Sequence, residues 1–199
     1  MGILENGEAD VVYRNDGQGR FTPLSWTDGT FLDEDGKPIS VPYDWALSVM
    51  FRDLNEDGRP DIYVCKDFHS PARIWINNGR RGFHAIGRLA IRQTSIFSMG
   101  MDFADIDRDG HDDFFVADML SRHHASRQVQ LMDRRPVQLP VGQIEDRPQY
   151  SRNTLFWNRG DGAYAEIAHF SGIAASEWSW CPAFLDVDLD GFDDLLCVT

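Results

Sequence analysis

No stretch of this sequence stays apolar for the roughly 18–20 residues that a membrane-spanning helix needs, so no helical span is expected. Basic residues are scarce. Nineteen Lys and Arg face 32 Asp and Glu, the formal net charge is −13, and no basic groove is visible, which argues against a nucleic-acid partner because that affinity depends on neutralising phosphates. Cysteine is limited to Cys65, Cys181 and Cys197, with no CxxC spacing; these read as core thiols, with one disulfide left open. The opening residues Met1 to Asn6 have neither the basic start nor the apolar middle of a signal peptide. Enzyme signatures are missing too: there is no Gly-x-Ser-x-Gly elbow, no His-Glu-x-x-His helix and no Walker loop. The expectation is therefore non-catalytic.

What is present begins with ordinary globular content, 42% hydrophobic and 12% aromatic residues over 199 positions. The acids are not spread evenly. Asp53-Leu54-Asn55-Glu56-Asp57-Gly58-Arg59-Pro60-Asp61 is followed two more times by the same pattern, at 105–113 and at 186–194. Each copy leads into an apolar run: Ile62-Tyr63-Val64-Cys65, Phe114-Phe115-Val116-Ala117 and Leu195-Leu196-Cys197-Val198. Ca²⁺ is a hard cation that takes oxygen ligands at about 2.3–2.6 Å. Carboxylates at loop positions one, three and five would point three oxygens inward, while the glycine at six permits the sharp turn. A backbone carbonyl at seven and an acid at nine would complete the shell.

The candidate ligands are thus Asp53, Asn55, Asp57, Arg59 (carbonyl) and Asp61; Asp105, Asp107, Asp109, His111 (carbonyl) and Asp113; and Asp186, Asp188, Asp190, Phe192 (carbonyl) and Asp194. About three Ca²⁺ ions are expected, one per loop. Asn55 replaces an acid, which would weaken the first site. Plain Asp-Gly hairpin turns would explain the Asp-Gly pairs but not the acids at one, three and nine. An EF-hand would require Glu at position twelve, where this chain has Val64, Val116 and Cys197. The three loops hold 14 of the 32 acidic residues, so three bound Ca²⁺ would bring the formal charge to −7.

A second element repeats between the loops. Asn15-Asp16-Gly17-Gln18-Gly19-Arg20-Phe21, the stretch from Asn77 to Phe83 and the stretch from Asn158 to Tyr164 each follow a short apolar run. Asn and Gly supply the positive φ angles of hairpin turns, and the aromatic six residues after each Asn should open the return strand. Asp53 and Asp105 are 52 residues apart, and Asp105 and Asp186 are 81 apart, the excess matching an insertion at 119–152. About fifty residues per unit is in the range of propeller blades. The expected fold is all-β, a propeller segment of four-stranded blades: a partial blade at 9–26, a blade at 44–90, a blade at 95–173 carrying the insertion, and a partial blade at 177–199. Trp45, Phe97 and Trp178, each eight residues before a loop, are expected in the innermost strands and in the core.

The Asp-x-Asp-x-Asp-Gly-x-x-Asp loops combined with Asn-x-Gly-x-Gly-x-Phe turns resemble the FG-GAP/VCBS repeats of integrin-α-type β-propellers. More narrowly, Phe97 to Asp105, then Val116-Ala117-Asp118-Met119-Leu120, then Glu177-Trp178-Ser179-Trp180 resemble the bacterial relatives of cartilage acidic protein 1, the ASPIC/UnbV-type proteins. The resemblance implies a calcium-loaded propeller, secreted or held in the cell envelope, that serves as a scaffold for protein binding or adhesion. Its ligand would be an extracellular protein or a glycan, and the chain would be part of a longer one. Two other readings stand beside it: a carbohydrate-binding propeller, with Trp26, Trp75 or Trp157 exposed to stack on sugars, and the propeller part of a polysaccharide-degrading enzyme.

Two stretches depart from the repeat. Asp33-Glu34-Asp35-Gly36 puts Phe31 at position one and Ile39 at position nine when Asp35 is aligned with five, so it reads as an exposed turn. The insertion is locally basic, with six Arg against three acids from Met119 to Arg152, and Ser121 to Met132 reads as a short helix before Pro136, Pro140 and Pro148. It is either a partner-binding element or a solvated cap. His123 and His124 diverge on a helix and do not suggest a metal site.

Overall fold

In the computed structural model of the chain, residues 7–68, 70–130 and 147–199 are described. The opening Met1 to Asn6, and the part of the insertion with Met132, Pro136 and Pro140, lie outside them. The strands in chain order are β1 (Tyr13–Asn15), β2 (Phe21–Pro23), β3 (Phe31–Leu32), β4 (Ala46–Arg52), β5 (Asp61–Lys66), β6 (Arg73–Asn77) and β7 (Phe83–Ala85). They continue as β8 (Thr94–Ser95), β9 (Gly100–Ala104), β10 (Asp113–Ala117), β11 (Met119–Leu120), β12 (Gln149–Tyr150), β13 (Thr154–Asn158), β14 (Tyr164–Glu166), β15 (Glu177–Trp178), β16 (Cys181–Leu185) and β17 (Asp194–Val198). Among the described residues one α-helix, α1 (His124–Gln130), lies within the insertion, and a short 3-10 turn spans Gly79–Arg81.

Two antiparallel meanders dominate. β4-β5-β6-β7 form one, with β3 added in parallel at its outer edge, and β9-β10-β13-β14 form the other. β1-β2 and β16-β17 are separate two-stranded hairpins. The fold is an all-β propeller-like segment in which each Asp loop joins the first strand of a sheet to the second. Its turns follow the repeated Asn: Asn15 pairs with Phe21, Asn77 with Phe83 and Asn158 with Tyr164. Asn77 and Asn158 each accept the N–H of the glycine two residues on, at 2.9 and 3.0 Å.

The second strand of each sheet explains the unbroken apolar runs. β5 and β10 are buried along their whole length, because each has apolar clusters packed on both of its faces. Phe114 stacks on Phe156 within its blade at 4.6 Å and meets Tyr63 of the preceding blade edge-on at 5.2 Å. Phe115 and Ala117 face the other way, into a cluster completed by Phe184, Leu195 and Cys197. Lys66 ends β5 fully buried, and Asp10 and Asp44 neutralise its ammonium while Arg73 also reaches Asp44 at 2.7 Å. That network ties the N-terminal segment to the first complete blade.

Several sequence expectations are corrected here. The innermost strands begin after the three marked aromatics: Trp45 lies just before β4, Phe97 precedes β9, and Trp178 sits in β15 paired with β11. Only Phe97 is buried; Trp45 and Trp178 are exposed. Cys65 is a core thiol, but Cys181 is exposed and Cys197 half-buried, and all three are free. The helix covers seven residues and buries none of them. Past it, Arg147 reaches into the body of the fold, donating to the Ile91 and Ile86 carbonyls at 2.9 and 2.7 Å, and β12 pairs in parallel with β8.

Candidate metal centres

The three Asp loops share their geometry as well as their letters. In each, both carboxylate oxygens of the first Asp accept backbone N–H groups of the loop: Asp53 from Asp57 and Gly58, Asp105 from Asp109 and Gly110, Asp186 from Asp190 and Gly191, at 2.7–3.1 Å. The acid at position five accepts the N–H at seven in every copy. The glycine at six has φ of 82°, 93° and 90°. Position four is also left-handed, and there the residues are Glu56, Arg108 and Leu189, with φ of 59–61°. Sequence reading missed this second constraint, since nothing in three unlike side chains marks it.

The acid at position nine anchors each loop to the sheet. Asp61 Oδ2 accepts the Leu54 N–H at 2.9 Å and its Oδ1 the Asn77 N–H at 2.7 Å; Asp113 does the same with Ile106 at 3.1 Å and Asn158 at 2.7 Å. Burial, with further carboxylates nearby, pushes the Asp113 carboxyl up to about 6 and raises Asp61 as well, although both backbone bonds oppose the rise. Asp105, Asp107 and Asp109 bring oxygens within 4.8 Å of one another, as do Asp186, Asp188 and Asp190. Hard oxygen donors spaced this closely suit a divalent ion such as Ca²⁺. The donor set therefore fits in the second and third loops.

The first loop differs. Asn55 Nδ2 donates to Asp57 Oδ2 at 3.0 Å, and the Arg59 guanidinium pairs with the same carboxylate. Desolvation opposes charge on Asp57, but hydrogen bonds from Asn55 and Arg59 together with the Arg59 charge hold its pKa below the ordinary value. A resident side chain thus supplies part of the positive charge that a cation would bring.

Position seven was expected to offer only a carbonyl, yet its side chains link neighbouring loops. His111 pairs with Glu56 from position four of the preceding loop, which raises the imidazole pKa. Arg108, at position four of the second loop, lies over the Phe192 ring at position seven of the third, 4.4 Å from its centroid. Arg52 adds a two-pronged pair to Asp112, its Nη2 at 2.8 Å from Oδ1. The second and third loops are thus each held by the one before.

The remaining candidate residues are less converged. Trp26 and Trp75 are buried in one aromatic cluster with Phe31, so they do not stack on a ligand; only Trp157 is partly open, and its indole donates to Asp107 at 2.8 Å. Asp33 closes a tight turn by accepting the Asp35 and Lys37 N–H groups at 2.9 and 2.8 Å. Between the first two loops lies a cavity of about 420 Å³, bordered by Glu56, His84, His111, Asn158 and Tyr164.

No match is found among curated proteins. The family model for FG-GAP-like repeats matches residues 3–64, 53–116 and 145–197, and each match ends in the strand that follows an Asp loop. Loop geometry, turn geometry and matched segments coincide along most of the sequence, and the chain belongs to the FG-GAP-like repeat family.

Proposed function

We propose that this chain is a calcium-stabilised scaffold whose ions serve structure and whose propeller surface binds an extracellular protein or glycan. The observation that carries the reading is the repetition of one loop conformation three times, with carboxylate triads brought together in the second and third copies. Ca²⁺ would be held by Asp105, Asp107, Asp109 and Asp113, and by Asp186, Asp188, Asp190 and Asp194, with weaker binding at the Asp53 to Asp61 loop. When bound, the ion supplies countercharge to carboxylates that are otherwise crowded. The chain's own residues orient the loop through backbone bonds to positions one, five and nine.

The finer kinship to ASPIC/UnbV-type proteins, and a place outside the cell or in its envelope, rest on the motif strings Phe97 to Asp105 and Glu177 to Trp180. Millimolar extracellular Ca²⁺ matches weak multi-Asp sites. The sugar-stacking version loses Trp26 and Trp75, which are core residues. The test is a thermal melt with bound-metal analysis in Ca²⁺, Mg²⁺ and chelator. Selective stabilisation by Ca²⁺, with two or three ions per chain and Asp109→Ala costing more than Asp33→Ala, supports the scaffold. No bound metal and no response to chelator would leave the loops as turns.

A further inference from the structure

Away from the Asp loops, the first complete blade carries a cavity of about 490 Å³ that takes no part in the candidate metal centres. β5 runs away from its loop and β6 begins where β5 ends, Arg73 pairing with Val64, so the cavity lies at the far end of the blade. Asp33, Glu34, Arg73, Arg88, Arg147 and Gln149 border it. They come from separate stretches of chain: the turn after β3, the start of β6, the segment after β7 and the return from the insertion. Ile39, Trp75 and Ala85 add an apolar wall. The volume falls inside the about 300–1,000 Å³ of small-molecule sites.

Three Arg and two acids border the cavity, an excess of one positive charge on a chain of formal charge −13. Glu34 is engaged on both oxygens: Arg88 Nε donates to Oε2 at 2.7 Å, and Arg147 Nη2 lies 3.0 Å from Oε1. Arg73 is not saturated. Its Nε donates to Asp44 at 2.7 Å, and its terminal nitrogens donate no hydrogen bond among the described residues. Acceptors stand open as well. Gln149 Nε2 donates to the Phe68 and Ser70 carbonyls at 3.3 and 3.1 Å, which fixes Oε1 as an acceptor with no donor among the described residues. Asp33 uses Oδ1 to close its turn and leaves Oδ2 open. Trp75 is buried, and its indole N–H has no acceptor among the described residues. Desolvation lowers the Arg147 pKa although Glu34 opposes the fall, so a further anion beside it would offset part of the burial.

We propose that this cavity binds a hexuronate, the sugar-acid unit of an acidic glycan, with its carboxylate on the Arg73 fork and its hydroxyls on Asp33, Glu34 and Gln149. A planar, singly charged carboxylate matches both the guanidinium geometry and the single excess charge, whereas a phosphate brings about 1.5–2 negative charges. Open acceptors need donors. Sugar hydroxyls supply them, and the carboxylate side chains of an acidic peptide offer none. The inference deepens the glycan half of the proposed scaffold function. It uses no Asp-loop residue, so it stands without the metal.

The test is a calorimetric titration of the full chain with glucuronate and with galacturonate, in Ca²⁺ and in chelator. Uronate should bind at a single site with the same affinity in both buffers. Glucose and the uronate methyl ester, which lack the charge, and acetate, which lacks the ring, should each bind at least tenfold more weakly. Arg73→Gln should lose at least tenfold in uronate affinity. Arg73→Lys keeps a charge for Asp44 but not the fork, so it should hold its melting midpoint and recover only part of that affinity. No uronate binding, equal binding of the ester or of acetate, tighter binding of a sulfated glucose or of a poly-aspartate peptide, or binding that vanishes in chelator and ignores Arg73→Gln would each overturn the proposal. Absent uronate binding beside an intact Ca²⁺ response of the melt removes the cavity assignment alone, and the reverse pattern removes the metal reading alone.

Discussion

Asp113→Ala separates the two tasks that the structure gives to the acid at position nine. Its carboxylate accepts a partly buried Ile106 N–H and a buried Asn158 N–H. Removing an acceptor from a buried donor costs about 1–3 kcal/mol; with the Ile106 donor at the low end, the loss in chelator is expected at about 2–4 kcal/mol. In Ca²⁺ at one hundred times the dissociation constant, loss of that site removes about 2.7 kcal/mol more. Urea unfolding of wild type and variant, each in Ca²⁺ and in chelator, gives both quantities. Equal losses in the two buffers would refute the metal role, and a loss under about 1 kcal/mol in chelator would refute the anchoring role. The carboxyl's raised pKa adds a sign check. A carboxyl whose folded pKa lies above its unfolded value stabilises the protonated fold, so this contribution is present below the unfolded value of 3.8 and is lost as pH rises to about 6. In chelator the wild type should therefore lose stability across that window, and Asp113→Asn should flatten the slope.

Arg59→Ala frees the Asp57 carboxylate from its guanidinium partner and should tighten Ca²⁺ binding at the first loop several-fold in a calorimetric titration; unchanged or weaker affinity would count against the pairing. Glu166 receives the Arg152 guanidinium, Gln93 at 2.8 Å and the Ala168 N–H at 2.8 Å. Although burial works to raise it, the Arg152 guanidinium and the Ala168 and Leu155 N–H groups hold its pKa below 4.5, so the stability it contributes is present above 4.5 and fades as pH falls through the lower folded value. Glu166→Gln should cost about 1–3 kcal/mol at neutral pH and less in acid, as measured by unfolding at several pH values. Gly82 has φ of 82° and a Cβ there would run into the Thr30 carbonyl, whereas Gly17 has φ of 85° in open space. Gly82→Ala should therefore melt well below Gly17→Ala, and similar midpoints would show that β3 does not pack as described.

Much of the local architecture was legible in the letters. Asp-Gly spacing marked the loops, Asn six residues before an aromatic marked the hairpins, and the pairs Asn77 with Phe83 and Asn158 with Tyr164 follow, because turn chemistry depends on neighbours in the chain. The marked aromatics misled for the complementary reason. Eight residues before a loop falls ahead of the innermost strand, where what packs opposite decides burial: Phe97 is covered there, whereas Trp45 and Trp178 stay exposed. Trp26 and Trp75 look like ligand platforms in a sequence, but packing with Phe31, Phe83 and the β5 residues Ile62 and Val64 buries them.

The sequence by itself determined the repeat, the turns, the all-β character and where carboxylates would gather, since each depends on residues a few positions apart. Tertiary structure decided what depends on neighbouring blades: the pairing of Glu56 with His111 and of Arg108 with Phe192, and which of two equivalent apolar faces is covered. Phe103 and Phe51 occupy the same place in the repeat, yet one is buried and the other exposed. Burial belongs to what lies opposite a residue, and the identity of that opposite surface is written nowhere in the residue's own repeat.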